Sequence, residues 1–415
     1  MTNFIVIFSL LLALAATSFA GESCTVCHVS VRLSGVHKGV PCLGCHISES
    51  ATVANPGASA YGAIGCKACH KGHERIFDHA MAKRSGEKQF VSRSYAKVDA
   101  AFWEKNCTGC HLQSCTDCHG SGHNILKPLA VDCQRCHKGY FVGWDYAGRA
   151  PREDNNRYQR GAEIEGERFL KMLPDVHFSK GMECSACHSM QSLASGEKSS
   201  QKCRGCHKPD LKIVEHGIKA HMERLECYAC HAAWGAQEYG TFYLRFRDGA
   251  SKEDFDLKGE KNGEYLRSAY LKSQDAPMLG LNSRGKVSPI RPMFIAYYTD
   301  ILTAKSGGDE NRLLGAEWRT YMPHTIQRGT IACEGCHDSP RRFLLEAESA
   351  RIFLPKKDGM VLESFWQQQG QKVVNGSFMP LDRYRKMNER TMAKKRAETK
   401  KWQNLLKNVE TSSKP

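Results

Sequence analysis

The stretch Asp175-Val-His-Phe-Ser-Lys-Gly-Met-Glu-Cys-Ser-Ala-Cys-His188 contains the pattern that decides the fold. It ends in Cys184-x-x-Cys187-His188, the C-x-x-C-H pattern of c-type haem attachment. The two cysteines of such a motif form thioethers with the vinyl groups of one haem. The histidine that follows binds the iron from the proximal side. His177, upstream of Cys184, is a candidate for the second axial position.

The C-x-x-C-H pattern occurs ten times and uses all 20 cysteines of the chain. The cysteine pairs are Cys24/Cys27, Cys42/Cys45, Cys66/Cys69, Cys107/Cys110, Cys115/Cys118, Cys133/Cys136, Cys184/Cys187, Cys203/Cys206, Cys227/Cys230 and Cys333/Cys336. The histidines that follow these pairs are His28, His46, His70, His111, His119, His137, His188, His207, His231 and His337. We call them motifs 1 to 10 in chain order, and they predict ten covalent haem c groups.

The cysteine pattern disfavours two other classes of protein. A zinc protein would pair C-x-x-C units two by two and would not need a histidine after every pair. A disulfide scaffold would rarely place all of its cysteines at one spacing. Because the motifs use every cysteine, no thiol remains for a disulfide, a zinc site or a catalytic nucleophile.

Eight histidines lie outside the motifs and are candidates for the second axial ligand of an iron, since neutral imidazole is a common metal ligand. They are His37, His73, His79, His123, His177, His216, His221 and His324. Eight histidines cannot cap ten irons, so at least two haems need methionine, lysine, water or another ligand. Met182, Met222 and Met322 lie near motifs and could serve. An iron without a sixth protein ligand would be a place for catalysis.

The N-terminal residues predict an exported protein. An apolar run covers 4–16, and Ser18-Phe19-Ala20 supplies small residues before a cleavage point at Gly21, as in a secretory signal peptide. The segment Met1-Thr2-Asn3 has no Lys or Arg, so an uncleaved anchor is the alternative, although the run is short for a membrane span. No later stretch is long and apolar enough to cross a membrane. We expect a periplasmic protein, with the outer surface or the extracellular space as alternatives.

The formal net charge of +15 overstates how basic the holoprotein is. Ten haems bring about 20 propionates and, when oxidised, about ten positive iron centres, so the total becomes roughly +5 oxidised and roughly −5 reduced. The basic sequence therefore does not indicate a nucleic acid as partner. Haem faces also replace much of the side-chain core, so the composition predicts no stable fold without haem.

The motif spacing predicts a modular chain. The expected parts are a signal peptide (1–20), an N-terminal haem module with six motifs (21–137), a linker (138–183), a second haem module with three motifs (184–231), a haem-free β-rich insert (232–332), the tenth haem with its following segment (333–380) and a basic helical tail (381–415).

Within these parts, strands are predicted at 241–247 and 293–299 and helices at 342–353 and 379–408. Residues 382–407 carry ten Lys or Arg against three acids. This segment is either a solvated helix or a docking surface for an acidic partner.

With ten such motifs across residues 24–337, the chain resembles the multihaem (decahaem) c-type cytochromes of bacterial anaerobic respiration. The resemblance implies a multihaem cytochrome c fold, mostly irregular coil with short α-helices wrapped around a haem stack that conducts electrons. The predicted fold also includes a small β-rich insert and a helical C-terminal tail.

A narrower similarity concerns two segments that precede motifs. Asp175-Val-His177 and Met322-Pro-His324 look like distal-ligand segments of octahaem tetrathionate reductase-type cytochromes, and residues 277–289 are similar to a segment of such proteins. That group has a lysine-ligated active haem, whereas all ten motifs here end in histidine.

Three functions follow as hypotheses. The first is electron transfer along a haem chain, from a quinol-linked donor to a terminal reductase, an outer-membrane conduit or an extracellular acceptor. The second is a reductase of a small nitrogen or sulfur oxyanion at a haem that lacks a sixth protein ligand. The third is a structural conduit or filament-forming cytochrome. An electron-transfer protein is favoured over an enzyme, no catalytic residue is assigned, and an oligomer is compatible with the sequence.

Overall fold

A computed structural model of the 415-residue chain describes residues 33, 35–41, 45, 66–67, 69–108, 112–120, 123–137, 145–147, 159–164, 167–171, 174–246, 260–274, 276–303, 306–307, 312–328, 331–347 and 372–412. The predicted signal peptide lies outside these residues. The chain divides into two compact units. The first comprises 1–89, 107–137 and 183–205, and the second comprises 90–106, 138–182 and 206–415.

The helices are short except for the last one. The α-helices are α1 (Ala80–Lys83), α2 (Ser85–Arg93), α3 (Phe102–Asn106), α4 (Thr116–His119), α5 (Ala130–Gln134), α6 (Val176–Ser179), α7 (Met190–Ser195), α8 (Cys203–Cys206), α9 (Val214–Gly217), α10 (Lys219–Arg224), α11 (Cys227–His231), α12 (Glu334–His337) and α13 (Leu381–Ser412). Short 3-10 helices cover Gly35–His37, His73–Asp78, Tyr95–Lys97, Cys184–Ala186 and Pro340–Phe343. Among the described residues, no helix is long and apolar enough to cross a membrane.

The first unit joins segments that are distant in the sequence. The Ala130 N–H donates to the Glu183 carboxylate at 2.7 Å, and the Leu112 N–H donates to the Met81 carbonyl at 3.3 Å. The first of these hydrogen bonds joins residues 107–137 to the segment of motif 7, which lies in the same unit. The structure therefore divides the chain differently from the predicted modules, which separate motif 7 from motifs 1 to 6.

The second unit is built on a large sheet. Its strands are β4 (Gly235–Phe246), β5 (Glu260–Asn262), β6 (Tyr265–Gln274), β7 (Leu279–Asn282), β8 (Val287–Thr303), β9 (Ser306–Gly307), β10 (Arg312–Thr320), β11 (Val373–Val374) and β12 (Gly376–Ser377). Within the described residues, the order along the sheet is β11-β10-β8-β4-β6-β5, and β7 and β9 also pair with β8. The strands predicted at 241–247 and 293–299 fall on β4 and β8.

Strand β8 is the centre of this sheet because it is apolar on both faces. Ile290, Ile295, Tyr297 and Tyr298 are all almost fully buried. Such a continuous apolar run is typical of a strand that is covered on both sides. Strand β8 runs parallel to β4 and antiparallel to β10.

Residues 138–182 also contain strands, although the sequence predicts a linker here. A small antiparallel sheet has the order β1-β3-β2, with β1 (Asp145–Ala147), β2 (Gln159–Ile164) and β3 (Glu167–Lys171). The β2 sequence Gln-Arg-Gly-Ala-Glu-Ile is polar and contains a glycine, so it lacks the alternating apolar pattern that marks a strand.

The prediction of a helix at 342–353 is wrong for residues 344–347, which are not helical. The 3-10 helix Pro340–Phe343 ends at Leu344, whose φ of 60° lies in the left-handed region. A leucine in this region costs roughly 1–2 kcal/mol. Burial of Phe343 and Leu344 in the apolar clusters of the unit opposes that cost.

Residues 90–106 cover the sheet with aromatic side chains. Phe102 is fully buried, with its ring centroid 4.4 Å from that of Tyr95 and 4.7 Å from that of Tyr243. Next to this cluster, Asp99 accepts hydrogen bonds from the Tyr265 hydroxyl at 2.7 Å and from Lys105 Nζ at 2.8 Å. These bonds lower the pKa of Asp99 to about 2, even though its burial acts in the opposite direction.

We expect Asp99→Ala to lower the free energy of unfolding of the holoprotein by about 1–3 kcal/mol, because it removes the acceptor of the hydrogen bond from Tyr265, which is buried. Since the folded-state pKa is lower than the unfolded value, Asp99 stabilises the fold above about pH 4 and this stabilisation is lost as pH falls toward 2. Urea unfolding of both proteins at several pH values measures the difference. Glu223→Gln, which removes one partner of an exposed ion pair with Lys219, is the control and should change little.

Candidate haem sites

In seven of the ten motifs, namely motifs 3 and 5 to 10, both cysteines and the histidine are described. The motif residues outside the described ones are Cys24, Cys27, His28, Cys42, His46, Cys110 and His111. No disulfide joins any of the described cysteines.

Several of the described cysteines are exposed. Cys45, Cys69 and Cys136, the second cysteines of motifs 2, 3 and 6, are predicted to bind haem, but the structure leaves all three exposed. The other exposed cysteines are Cys66, Cys203, Cys206, Cys227 and Cys333. A cysteine that serves only to pack is usually buried. Haem attachment at Cys45, Cys69 and Cys136, as at the other motif cysteines, stays a prediction from the motif.

Each described motif folds as a helical turn. The histidine N–H donates to the carbonyl of the first cysteine at 2.8 Å in motif 3, 3.1 Å in motif 5 and 2.9 Å in motif 7. In a helical turn, residues three and four positions apart lie on the same face. The local fold therefore places both sulfur atoms and the imidazole on one side of the turn, as the attachment and ligation of a single haem require.

Four motif histidines face a second histidine from outside the motifs. The ring centroids are 6.0 Å apart for His37 and His70, 5.7 Å for His177 and His207, 6.0 Å for His216 and His231, and 6.1 Å for His221 and His337. In the His177 and His207 pair, the two Nε2 atoms are 3.5 Å apart. A bond from a metal to an imidazole nitrogen is about 2 Å, so two opposite ligands place their nitrogens about 4 Å apart. The pairs fit an iron between the rings.

The second ring nitrogen of several of these histidines is held by an acceptor. His231 Nδ1 lies 3.1 Å from the Gln327 carbonyl, and His337 Nδ1 lies 2.7 Å from the Thr391 hydroxyl. On the opposite side, Nδ1 of His177, His216 and His221 contacts the Asp175 carboxylate and the Asp210 and Glu215 carbonyls, respectively. Such contacts orient the ring and leave Nε2 to the metal.

The elements around motif 10 show how the fold positions a motif histidine. Helix α13 turns Tyr384, Met387 and Thr391 toward motif 10, because these positions recur at helical spacing. Tyr384 is buried and packs against Phe343, with ring centroids 5.2 Å apart. Thr391, two turns further along, reaches His337. The helix therefore sets the orientation of the proximal imidazole.

The positions of two other candidate ligands, His73 and His79, do not by themselves assign them to an iron. The ring of His73 lies 5.7 Å from that of His70, so His70 has two histidine neighbours, His37 and His73. His79 Nε2 lies 3.0 Å from the Ala194 carbonyl. Next to it is Gly196, where a Cβ atom would come within 2.8 Å of His79 Nδ1.

His123 is exposed and His324 is half-buried. The distances given above assign neither histidine to an iron. The methionines Met182 and Met322 each expose about two fifths of their surface, and Met222 is half-buried. Within the part of the chain that the structure describes, no cluster of three or more His, Cys, Asp or Glu is arranged to hold a metal ion.

Contacts between cysteines show which motifs are neighbours. In the first unit, the side chains of Cys66 and Cys115 form a hydrogen bond, which lowers the pKa of Cys66 to about 6 and raises that of Cys115. A hydrogen bond between Cys133 and Cys184 likewise lowers the pKa of Cys184 to about 7. Motif 3 therefore adjoins motif 5, and motif 6 adjoins motif 7.

In the second unit, Cys230 of motif 9 and Cys336 of motif 10 are close enough to interact electrostatically. Burial raises the pKa of Cys230 to about 11 and also raises that of Cys336. Both thiols are neutral in this setting, as the uncharged thioethers of attached haems would be. Motifs 9 and 10 are therefore neighbours.

Sequence reasoning missed the acceptors of the histidine rings. Asp175, two residues before His177, is buried and also accepts from the backbone N–H of His177 at 2.8 Å and of Ile326 at 2.7 Å. An aspartate two residues before a histidine is a sequence pattern that could have predicted this contact. By contrast, Gln327 and Thr391 approach their histidines only through the tertiary fold.

We expect Asp175→Asn to raise the reduction potential of the haem at motif 8, because a carboxylate on His177 Nδ1 makes the imidazole more basic and favours the oxidised iron. A tenfold change in the reduction equilibrium corresponds to about 59 mV for one electron, and the shift should be of that order. A spectroelectrochemical titration measures it. Asp210→Asn is the matched control, because His216 contacts the Asp210 backbone carbonyl and not its side chain.

No protein-family model and no solved structure matches the chain. Among curated proteins, the dissimilatory sulfite reductase MccA of Wolinella succinogenes is 22% identical over 172 residues. The match covers 33% of this chain and 24% of MccA, so the chain spans about a quarter of its relative. This weak similarity supports haem as the cofactor and is consistent with a multihaem cytochrome. It does not distinguish electron transfer from oxyanion reduction.

Proposed function

We propose that the chain is an exported decahaem c-type cytochrome that passes single electrons along its haems in anaerobic respiratory or extracellular electron transfer. The observation that carries this proposal is the set of four histidine pairs, each combining a motif histidine with a histidine from elsewhere in the chain. Haem iron with two histidine ligands has a low potential and exchanges single electrons without binding a substrate.

The contacts between motifs support conduction. Cysteine sulfur atoms are bonded to the edges of the porphyrins that they attach, so neighbouring cysteines bring two haem edges together. The hydrogen bonds of Cys66 with Cys115 and of Cys133 with Cys184 do this in the first unit, and in the second unit Cys230 and Cys336 are close enough to interact electrostatically. The fold thereby supplies short steps between successive haems within each unit.

The partners that we propose are a quinol-linked donor and, as acceptor, a terminal reductase or an outer-membrane conduit. Helix α13 offers a surface for an acidic redox protein. Ten Lys or Arg lie in residues 382–407, and Trp402 exposes 63% of its surface. Docking at such a surface is steered by charge and weakens as salt rises.

A potentiometric titration of the purified holoprotein tests this function. Electron transfer along bis-histidine haems predicts stepwise reduction over a broad, low range of potential, with no change in ligation. Carbon monoxide added to the reduced protein should leave most of its spectrum unaltered, because it binds only at irons that lack a sixth protein ligand. Reduction in a single narrow step, or carbon monoxide binding by several haems, would contradict the proposal.

Reduction of a small oxyanion is the second candidate function. Two observations favour it, namely that eight spare histidines cannot cap ten irons and that the similar protein MccA is named a sulfite reductase. The reduced holoprotein is mixed without oxygen with sulfite, nitrite, hydroxylamine, tetrathionate or selenite. Rapid reoxidation by one of these compounds would establish a reductase, and an unchanged reduced spectrum with all of them would exclude these reactions.

A further inference from the structure

Arg342 is an arginine buried between two haem motifs. It follows motif 10 on the 3-10 helix Pro340–Phe343 and exposes only 6% of its surface. Charged arginines are rarely buried without a charged partner. Its neighbour Arg341, on the same short helix, is exposed. The chain therefore holds one of two consecutive arginines away from water.

The guanidinium group links the two motifs directly. Arg342 Nη2 donates to the carbonyl of Ala229, between the two cysteines of motif 9, at 2.8 Å. Arg342 Nη1 approaches the carbonyl of Gly335, between the two cysteines of motif 10, at 3.4 Å. Both haem-attachment turns are thus fixed to the same planar side chain.

The remaining contacts place the positive charge beside a haem-attachment sulfur. Arg342 Nη1 lies 3.1 Å from Cys336 Sγ, and Nε donates to the Pro277 carbonyl at 3.2 Å. All of these acceptors are neutral, and among the described residues no carboxylate forms an ion pair with Arg342. Burial lowers the pKa of Arg342, but an arginine starts so high that the group stays charged.

We propose that Arg342 raises the reduction potentials of the haems at motifs 9 and 10 by holding a buried positive charge between their attachment turns. This rests on the proposed function, because it requires haems at both motifs. Reduction removes one positive charge from a haem iron, so a nearby cation favours the reduced state. The effect of the charge is large because the site is buried and water screens it poorly. Arg342 is a positioning and tuning residue and binds no iron.

The experiment compares three variants of the holoprotein by spectroelectrochemical titration. Arg342→Gln removes the charge and keeps a side chain that can donate a hydrogen bond. Arg342→Lys keeps the charge and loses the planar fork. Arg341→Gln removes the same charge from the exposed neighbouring position. Iron analysis and EPR of each protein report whether the haems and their axial ligands are intact.

We expect Arg342→Gln to shift the reduction equilibrium of one or two haems about tenfold toward the oxidised state, which is about 59 mV lower in midpoint potential. Arg342→Lys should show less than half of this shift, and Arg341→Gln should show none. Unchanged midpoints in Arg342→Gln with a full haem content would overturn the proposal. Equal shifts in the Gln and Lys variants would also overturn it, because packing rather than charge would then set the potential.

Two further outcomes can be distinguished from a negative result for Arg342. If Arg342→Gln fails to accumulate, Arg342→Lys carries the test: midpoints lowered by less than half of about 59 mV support the role of the charge, and midpoints lowered by about 59 mV or more oppose it. If the parent protein lacks haem at motif 9 or 10, its iron content shows this before any variant is made. The failure then belongs to the proposed function and not to Arg342.

Discussion

A chain made without haem attachment is expected to lose the fold of its first unit and to keep the sheet of its second. The two units differ in how many side chains they bury. Among the described residues of the first unit, the buried hydrophobic side chains are Ile76, Ala130 and Ala194. Ordering one residue costs roughly 1–2 kcal/mol in conformational entropy, so the side chains that the described part of this unit buries are too few to fold it unaided. The haem faces must supply the rest.

The second unit has an apolar core of its own. Trp318 and Ile290 are fully buried in one cluster, and Phe246 and Leu266 form another on the same sheet. Burying one such side chain contributes about 1.5–3 kcal/mol. From the composition, we expect no stable fold without haem. The apolar core of the second unit indicates that this expectation holds for the first unit and not for the sheet.

Hydrogen exchange on the chain expressed in a host without haem-attachment machinery measures this difference. Amides in residues 69–89 and 112–137 should exchange at the rate of an unfolded chain. Amides of β4, β8 and β10 should exchange at least about a hundredfold more slowly. Protection throughout the first unit, or none in the sheet, would contradict the expectation. The holoprotein, protected in both units, is the control.

The second large effect is expected from His221→Ala, which should convert the iron at motif 10 to a high-spin state. His221 faces His337 with its Nδ1 held by the Glu215 carbonyl at 3.2 Å. Without this imidazole, the sixth position is left to water, which is a weaker ligand. One iron in ten should then give a high-spin ferric EPR signal, and added imidazole should abolish that signal.

His79→Ala is the matched control for this variant. His79 is also a histidine outside the motifs, but its Nε2 contacts the Ala194 carbonyl. Its removal should leave every low-spin signal in place. A fully low-spin spectrum of His221→Ala, at unchanged iron content, would show that another group binds the iron of motif 10. A new high-spin signal in His79→Ala would instead assign His79 as a ligand.

The sequence predicts the attachment chemistry because that chemistry is local. A C-x-x-C-H turn needs only five consecutive residues, so the motifs and their helical hydrogen bonds can be derived without the fold. Helix α13 was also predictable, since residues 381–412 contain no glycine or proline. The strand at 293–299 was recognisable from its aromatic and β-branched composition.

What the sequence does not predict depends on contacts between distant segments. His221 lies far from His337 in the chain, and Ala229 lies more than a hundred residues from Arg342. The spacing shows that His221 precedes motif 9, yet the fold pairs it with motif 10 and brings His216 to motif 9. The linker prediction at 138–183 likewise overlooked the strands β1, β2 and β3, which pair with one another.

The most direct test of the central claim is an EPR spectrum of the oxidised holoprotein, combined with iron analysis. The account predicts ten irons per chain. Low-spin bis-histidine signals should dominate, including those from the irons of motifs 3, 8, 9 and 10. Fewer than eight irons per chain, or high-spin iron as the main species, would contradict an electron-conducting chain of haems.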